Sequence, residues 1–286
     1  MATSLPTREG RRDPPGATLA ADGVNFSIFG AAATSVELLL YEAADSPRPF
    51  QVITLDPDTN RTRLMWHVFV EGLAPGAYYS WRMDGPGDTA VSGRRFNARK
   101  ELSDPWAREV SDSLWDRKRA SDPGDAGPCG LRSVVCDESF DWAGEQSIAR
   151  GLEGAVIYEL HVGGFTRHPS SRAARPGTFS GLAEKIPYLQ ELGITHVELL
   201  PVMAFDEQSV PPGTAARGLR NYWGYDTHSF WTPHPRYCGT AHRSSEDADS
   251  RNCGCCSPSS SSARGPQRRA AHFARRTPSP ATARRA

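Results

Sequence analysis

Between Arg220 and Tyr237 the chain reads RNYWGYDTHSFWTPHPRY, which sets Tyr222, Trp223, Tyr225, Phe230, Trp231 and Tyr237 around Asp226 and His228. Rings concentrated in one loop serve either as a contact surface or as core, and Phe230 and Trp231 are expected in the core. Cys238, Cys253, Cys255 and Cys256, with His234 and His242, invite a zinc reading. Structural zinc sites favour C-x2–4-C pairs with a second pair in a folded setting. Here Cys255 and Cys256 are adjacent and no second pair follows, so no metal is assigned. Glu246, Asp247 and Asp249 lack flanking apolar residues to hold them at fixed distances, and catalysis requires near-rigid placement. They read as solvated charges. His161, within an apolar run, is expected to be structural, and neighbouring Glu159 points the opposite way along a strand and is given no acid role.

The elements that would position these residues fall into two textures. Short runs of period-two alternation mark half-buried strands. Val24, Phe26 and Ile28 share one face of VNFSIFG, and Val36, Leu38 and Leu40 one face of SVELLLYE. Leu64, Trp66, Val68 and Val70 align in RLMWHVFV, as do Tyr79, Trp81 and Met83 in YYSWRMD, with Trp66 and Trp81 read as core rather than ligand contacts. Asp22-Gly23 and Pro75-Gly76 are turn dipeptides. These signals predict an Ig-like β-sandwich over residues 16–86, behind a polar leader at 1–15 and before a connector at 87–153.

From Gly154 the pattern changes. AVIYELHV reads as a strand covered on both faces. SGLAEKIPYLQELG carries Leu182, Ile186, Leu189 and Leu192 at helical spacing, with Ser180 as N-cap, Gly193 as stop and Pro187 as a kink. THVELLPV is a second strand, so residues 154–238 open with a βαβ unit and a parallel pair. The aromatic loop follows the second strand on its carboxyl side, where α/β folds carry binding loops.

The chain of 286 residues has zero formal net charge and a pI near 7.1, which gives no electrostatic case for nucleic acid or a membrane surface as partner. No stretch approaches the ~20 apolar residues of a membrane span. The opening MATSLPTREGRRDPP has charges but no apolar run behind them, so no signal peptide is expected and a cytoplasmic protein is the default. From Gly239 to Ala286 there is no Ile, Leu, Val, Met, Trp or Tyr. That segment is expected to be disordered. Its Ala, Arg, Pro, Ser, Gly and Cys content matches GC-rich codons read out of frame, with the frame lost after Tyr237 or Cys238.

GAVIYELHVGGFTRHPSS, PGTFSGLAEKIPYLQELGITHVELLPV and NYWGYDTHSFWTPHPRY together resemble the start of the catalytic barrel in isoamylase-type bacterial glycogen debranching enzymes, in the α-amylase superfamily. Upstream, PPGATLAADGVNFSIFGAAATSVELLLYE, MWHVFVEGLAPGAYYSWRMDGP and RRFNARKELSDPWAR resemble their carbohydrate-binding-like sandwich and the segment after it. The resemblance covers residues 14–238. It implies a β-sandwich followed by an incomplete (β/α)8 TIM barrel. It also implies hydrolysis of α-1,6 branch linkages in glycogen and related α-glucans, without a cofactor. Tyr225 matches the tyrosine that stacks under the sugar at the cleavage subsite, and Trp223, Asp226 and His228 are its implied companions in substrate binding. Branching enzymes and maltooligosyltrehalose trehalohydrolases share this architecture.

A retaining glycosidase needs two carboxyl groups ~5–5.5 Å apart. In the family these follow later barrel strands, and residues 154–237 leave little of the ~250 residues a full barrel needs. No catalytic residue is therefore assigned, and the chain as written is expected to be inactive. The alternative is an α-glucan-binding module without catalysis. The sequence sets no oligomeric state.

Overall fold

The computed structural model describes residues 4–124, 128–139 and 151–238. They form two compact units. One contains the chain up to Asp137 together with Met203–Pro235, and the other contains Glu138–Val202 with the short segment from Arg236. The tail from residue 239 and its expected disorder lie outside the described residues. Among the described residues no helix is long and apolar enough to cross a membrane.

The first unit is a sandwich. In chain order its strands are β1 (Thr7–Glu9), β2 (Gly16–Ala20), β3 (Gly23–Phe29), β4 (Ser35–Tyr41), β5 (Gln51–Thr54), β6 (Arg61–Thr62), β7 (Met65–Glu71), β8 (Tyr78–Asp84), β9 (Glu109–Ser111) and β10 (Arg132–Val134). One sheet runs β1-β7-β3-β2, with β6 also on β7, and the other runs β5-β4-β8-β10-β9. The alternation read from sequence is the core itself. Val24, Phe26, Ile28, Val36, Leu38, Leu40, Trp66, Val68, Val70, Tyr79, Trp81 and Met83 are all buried in one cluster. Phe26 meets Tyr79 edge-on at 5.0 Å and Trp81 at 6.3 Å between ring centroids, a preferred aromatic geometry. Trp66 and Trp81 are fully buried, as core residues should be.

Three features depart from the sequence pattern. Leu64 is exposed because Arg63 takes a left-handed conformation and turns the chain from β6 into β7. The sheets also reach beyond residues 16–86. β1, in the polar leader, pairs with β7, while β9 and β10, in the connector, complete the second sheet. Those two strands carry Glu109, Ser111, Arg132 and Ser133 as buried polar residues, so they lack any apolar alternation. Finally, β2 and β3 turn through Ala21-Asp22, and Gly23 already lies in the ladder opposite Glu71.

The connector is pinned by a buried acid. Asp104 accepts hydrogen bonds from Tyr79 Oη at 3.0 Å, Trp81 Nε1 at 3.5 Å and the Trp106 amide at 2.8 Å. Burial raises its carboxyl above the ordinary aspartate value, and these three donors oppose the rise without cancelling it. A raised folded-state value means that the folded protein binds the proton more tightly than the unfolded chain. The stabilisation is complete below the unfolded pKa and is lost as pH rises through the folded one. Urea unfolding of wild type and Asp104→Asn between pH 4 and 7 should show the variant gaining on wild type as pH rises. A constant difference would contradict the sign.

In the second unit, β11 (Ile157–Leu160) lies parallel to β12 (His196–Leu199), in register from Ile157 opposite His196 to Leu160 opposite Leu199. The segment that joins them carries a short helix at Val162–Phe165, a 3-10 turn at Pro169–Ser171 and two further helices, Phe179–Ala183 and Ile186–Glu191. The break at Lys185 falls where Pro187 cannot donate an amide. Thr178, not Ser180, caps the first of this pair, its hydroxyl accepting from the Gly181 amide at 3.1 Å. Gly193, at φ +81°, ends the second in a Schellman pattern. Its amide donates to Gln190 O and the Ile194 amide to Leu189 O, both at 3.0 Å. Leu189 and Ile194 then pack with Tyr158, Phe165, Ile186 and Val197. Leu192 of the expected apolar stripe is exposed.

Coverage on both faces is not found for this strand pair. Ile157 is 53% exposed and Glu159 is also exposed, because the helices cover only the face bearing Tyr158 and Val197.

Candidate functional site

The aromatic loop belongs to the first unit. It hangs from an antiparallel pair, β13 (Met203–Phe205) and β14 (Thr227–Pro233), whose register shifts on either side of Ala204. Thr232 Oγ1 donates to Ala107 O at 2.7 Å, which ties β14 to the connector.

Its base is built around Asp206, a fully buried side chain. The carboxylate accepts from Trp115 Nε1 at 2.8 Å and the Gln208 amide at 2.9 Å, is bridged by the Arg117 guanidinium, and lies 3.5 Å from His228 Nε2. Gln208 reinforces the join from both ends, donating from Nε2 to Trp115 O at 2.7 Å and accepting from the Arg117 amide at 2.9 Å. Burial drives the Asp206 carboxyl upward, but the donors from Trp115, Arg117 and Gln208, with His228 nearby, outweigh it and hold it below the usual range. It is a settled carboxylate, with its lone pairs already engaged.

The same residue fixes the loop through its backbone. The Asp206 amide donates to Asp226 O at 2.9 Å, and Asn221 Nδ2 donates to Asp206 O at 3.1 Å. The Asn221 amide donates to Glu207 O at 2.9 Å, and Asn221 Oδ1 accepts from the Gly224 amide at 3.4 Å. Gly224 sits at φ +83°, a left-handed position that favours glycine. Glu207 adds an ion pair with Arg220 at 3.3 Å and lies 3.8 Å from His234 Nε2.

Above this base the rings face outward. Tyr225 is 71% exposed and Trp223 57%, with Trp223 edge-on to Tyr222 at 5.6 Å. Asp226 is exposed beside them. His228 is set apart, half-buried edge-on to Trp115 at 4.5 Å between ring centroids and against Asp206. Phe230 and Trp231, expected in the core, are instead 70% and 56% exposed. Among the described residues β14 pairs with β13 alone, in an irregular register between Ser229 and Pro233, and both rings stand in solvent, with the Arg108 guanidinium 5.2 Å from the Trp231 ring. Rings with exposed faces beside a carboxylate suit a ligand with apolar C–H faces and hydroxyl edges.

The other candidates resolve as structural groups. His161 Nδ1 accepts from the Gly164 amide at 2.9 Å, capping a short helix, and Nε2 lies 3.2 Å from Tyr237 Oη. Among the described residues no cluster of His, Cys, Asp or Glu could hold a metal. Cys253, Cys255, Cys256 and His242 of the zinc reading, and Glu246, Asp247 and Asp249, fall outside those residues. The sequence reading missed Asp206, Trp115 and Arg117, whose partnership spans about ninety positions and leaves no local motif.

Residues 14–107 match the family model of carbohydrate-binding module 48, the isoamylase N-terminal domain. The fold resembles a solved apo pullulanase from Paenibacillus barengoltzii, with a TM-score of 0.61 at 24% identity over 81% of this chain and 33% of that one. It also resembles the catalytic module of the glycogen-degrading pneumococcal virulence factor SpuA, with a TM-score of 0.61 at 21% identity over 82% and 34%. These observations define a protein that opens with a CBM48-type sandwich. Within that class, the chain is similar to glycogen debranching enzymes and isoamylases over most of its length. It is 38% identical over 227 residues to the glycogen debranching enzyme of Dickeya chrysanthemi, covering 76% of this chain and 33% of that protein. It is 33% identical over 248 residues to the chloroplastic isoamylase 1 of Arabidopsis thaliana, covering 82% and 30%. The chain thus spans about a third of the length of the curated relatives it matches.

Proposed function

We propose that this chain binds α-glucan, glycogen or branched maltodextrin, through the exposed rings of Trp223 and Tyr225 with Asp226 beside them. The observation that carries the proposal is the loop itself: rings left in water on a base that is fully hydrogen-bonded. Apolar rings held exposed in this way mark a contact surface. Hydroxyls along the sugar edge would find the Asp226 carboxylate, while His228 backs the loop.

In the same reading, β11 and β12 are the first strands of a (β/α)8 barrel, and the exposed Ile157 face is where further strands would lie. Hydrolysis of α-1,6 linkages by two carboxylates is the activity proposed for the longer proteins, and this chain is proposed to bind without cleaving. A cytoplasmic setting is part of the same proposal.

Titrating the purified chain with maltoheptaose, followed by tryptophan fluorescence, tests the reading. Tyr225→Ala should weaken binding about tenfold, or ~1.4 kcal/mol, without shifting the melting temperature. An unchanged affinity would remove Tyr225 from the site. Incubation with glycogen should release no reducing ends, and any release would overturn the non-cleaving assignment.

A further inference from the structure

We infer that Asp206 is a positioning residue for the aromatic loop, a buried carboxylate that sets where Tyr225 and Trp223 stand without touching the ligand. The inference rests on the reading of that loop as the sugar contact. Two features of one residue support it. The Asp206 side chain gathers donors from the connector, Trp115 and Arg117, together with Gln208 from its own strand's exit. Its backbone then holds both ends of the loop, through Asp226 O on one side and Asn221 Nδ2 on the other. Tyr225 immediately precedes the anchored Asp226 carbonyl, so movement of Asp206 is passed to the ring within one residue. His228 completes the seat, held between the Trp115 ring and the carboxylate.

The alternative roles for a buried acid fit poorly. A general acid or nucleophile needs an open side facing substrate, whereas this carboxylate is enclosed and engaged by donors. A purely structural acid would only join the connector to the exit of β13, whereas the backbone of this one also bonds to both ends of the loop. The geometry therefore assigns preorganisation, in which the rings are held ready and binding does not have to order them.

Asp206→Asn keeps the size and one acceptor oxygen but turns an amide toward the Arg117 guanidinium. Amide hydrogen exchange should accelerate at least tenfold in peptides covering residues 220–228, with those covering 23–29 and 65–71 unchanged. Maltoheptaose affinity should fall about tenfold in the wild-type background and show no further loss on Tyr225→Ala, since the two changes act through one ring. Trp115→Phe, which removes the indole donor but keeps a ring, should reproduce both results if the Asn variant does not fold. Unchanged exchange in the loop, equal acceleration in 23–29, or additive losses of affinity would each overturn the inference. If the loop loosens as described but wild type shows no affinity for maltoheptaose, the glycan reading fails and the positioning role stands.

Discussion

Replacing Trp81 with alanine should cost the sandwich about 3–5 kcal/mol, the range for emptying a buried large aromatic site. Trp81 has no exposed surface, lies edge-on to Phe26, and donates from its indole to the Asp104 carboxylate. Its backbone also exchanges hydrogen bonds with Leu102, so the side chain packs where the connector crosses the sheet. Truncation would open a void between β3 and β8 that neither ladder can close, because both are paired along their length. Against a typical total of about 5–15 kcal/mol, such a loss is large. Urea unfolding monitored by circular dichroism measures it. The result also separates two roles for tryptophan in a carbohydrate-binding-type sandwich. A core residue lowers stability and leaves the affinity of the folded fraction for maltoheptaose intact, whereas a surface contact would do the reverse.

Gly23→Ala should cost about 3 kcal/mol, although it adds a single methyl group. A Cβ at Gly23 would stand 2.1 Å from Val70 O and 2.9 Å from Glu71 Cα, both backbone atoms of the paired strand, at φ +153°. Relief requires β3 and β7 to separate, and these two strands form the centre of their sheet. Gly76→Ala is the control. It shares the positive φ, at +89°, but meets nothing within 4 Å, so it pays only the conformational term of about 1 kcal/mol. Equal losses in the two variants, measured by the same urea titration, would show that the close approach at Gly23 relaxes without cost.

The sandwich was legible because the residues that meet in its core are apolar at every second position, so alternation maps directly onto Phe26, Leu38, Trp66 and Trp81, even though Asn25, Ser27, His67 and Ser80 between them are buried as well. β9 and β10 were not legible, since Arg132 and Ser133 are buried by hydrogen bonding and stacking rather than by apolar character. The loop announced itself through its composition, and the resemblance singled out Tyr225. Burial of Phe230 and Trp231 was the wrong inference, because ring content gives no sign of whether anything packs over β14. Asp206 was invisible for a different reason. An acid beside Glu207 in a polar stretch looks like any surface pair until Trp115 and Arg117 are brought to it.

Among the described residues the first unit is assembled from two separate lengths of chain, one ending at Asp137 and one beginning at Met203. Its contour in space therefore has no matching cut in the sequence. A protease nick between those lengths would yield two polypeptides that stay together under native conditions, joined by the Asp206 seat and the Thr232 hydroxyl rather than by a peptide bond. They would separate only in denaturant. An expression clone ending at Asp137 would, by the same reasoning, strip the partners from Ala107, Trp115 and Arg117 and discard the rings, so a functional minimal module has to be designed by circular permutation rather than by shortening.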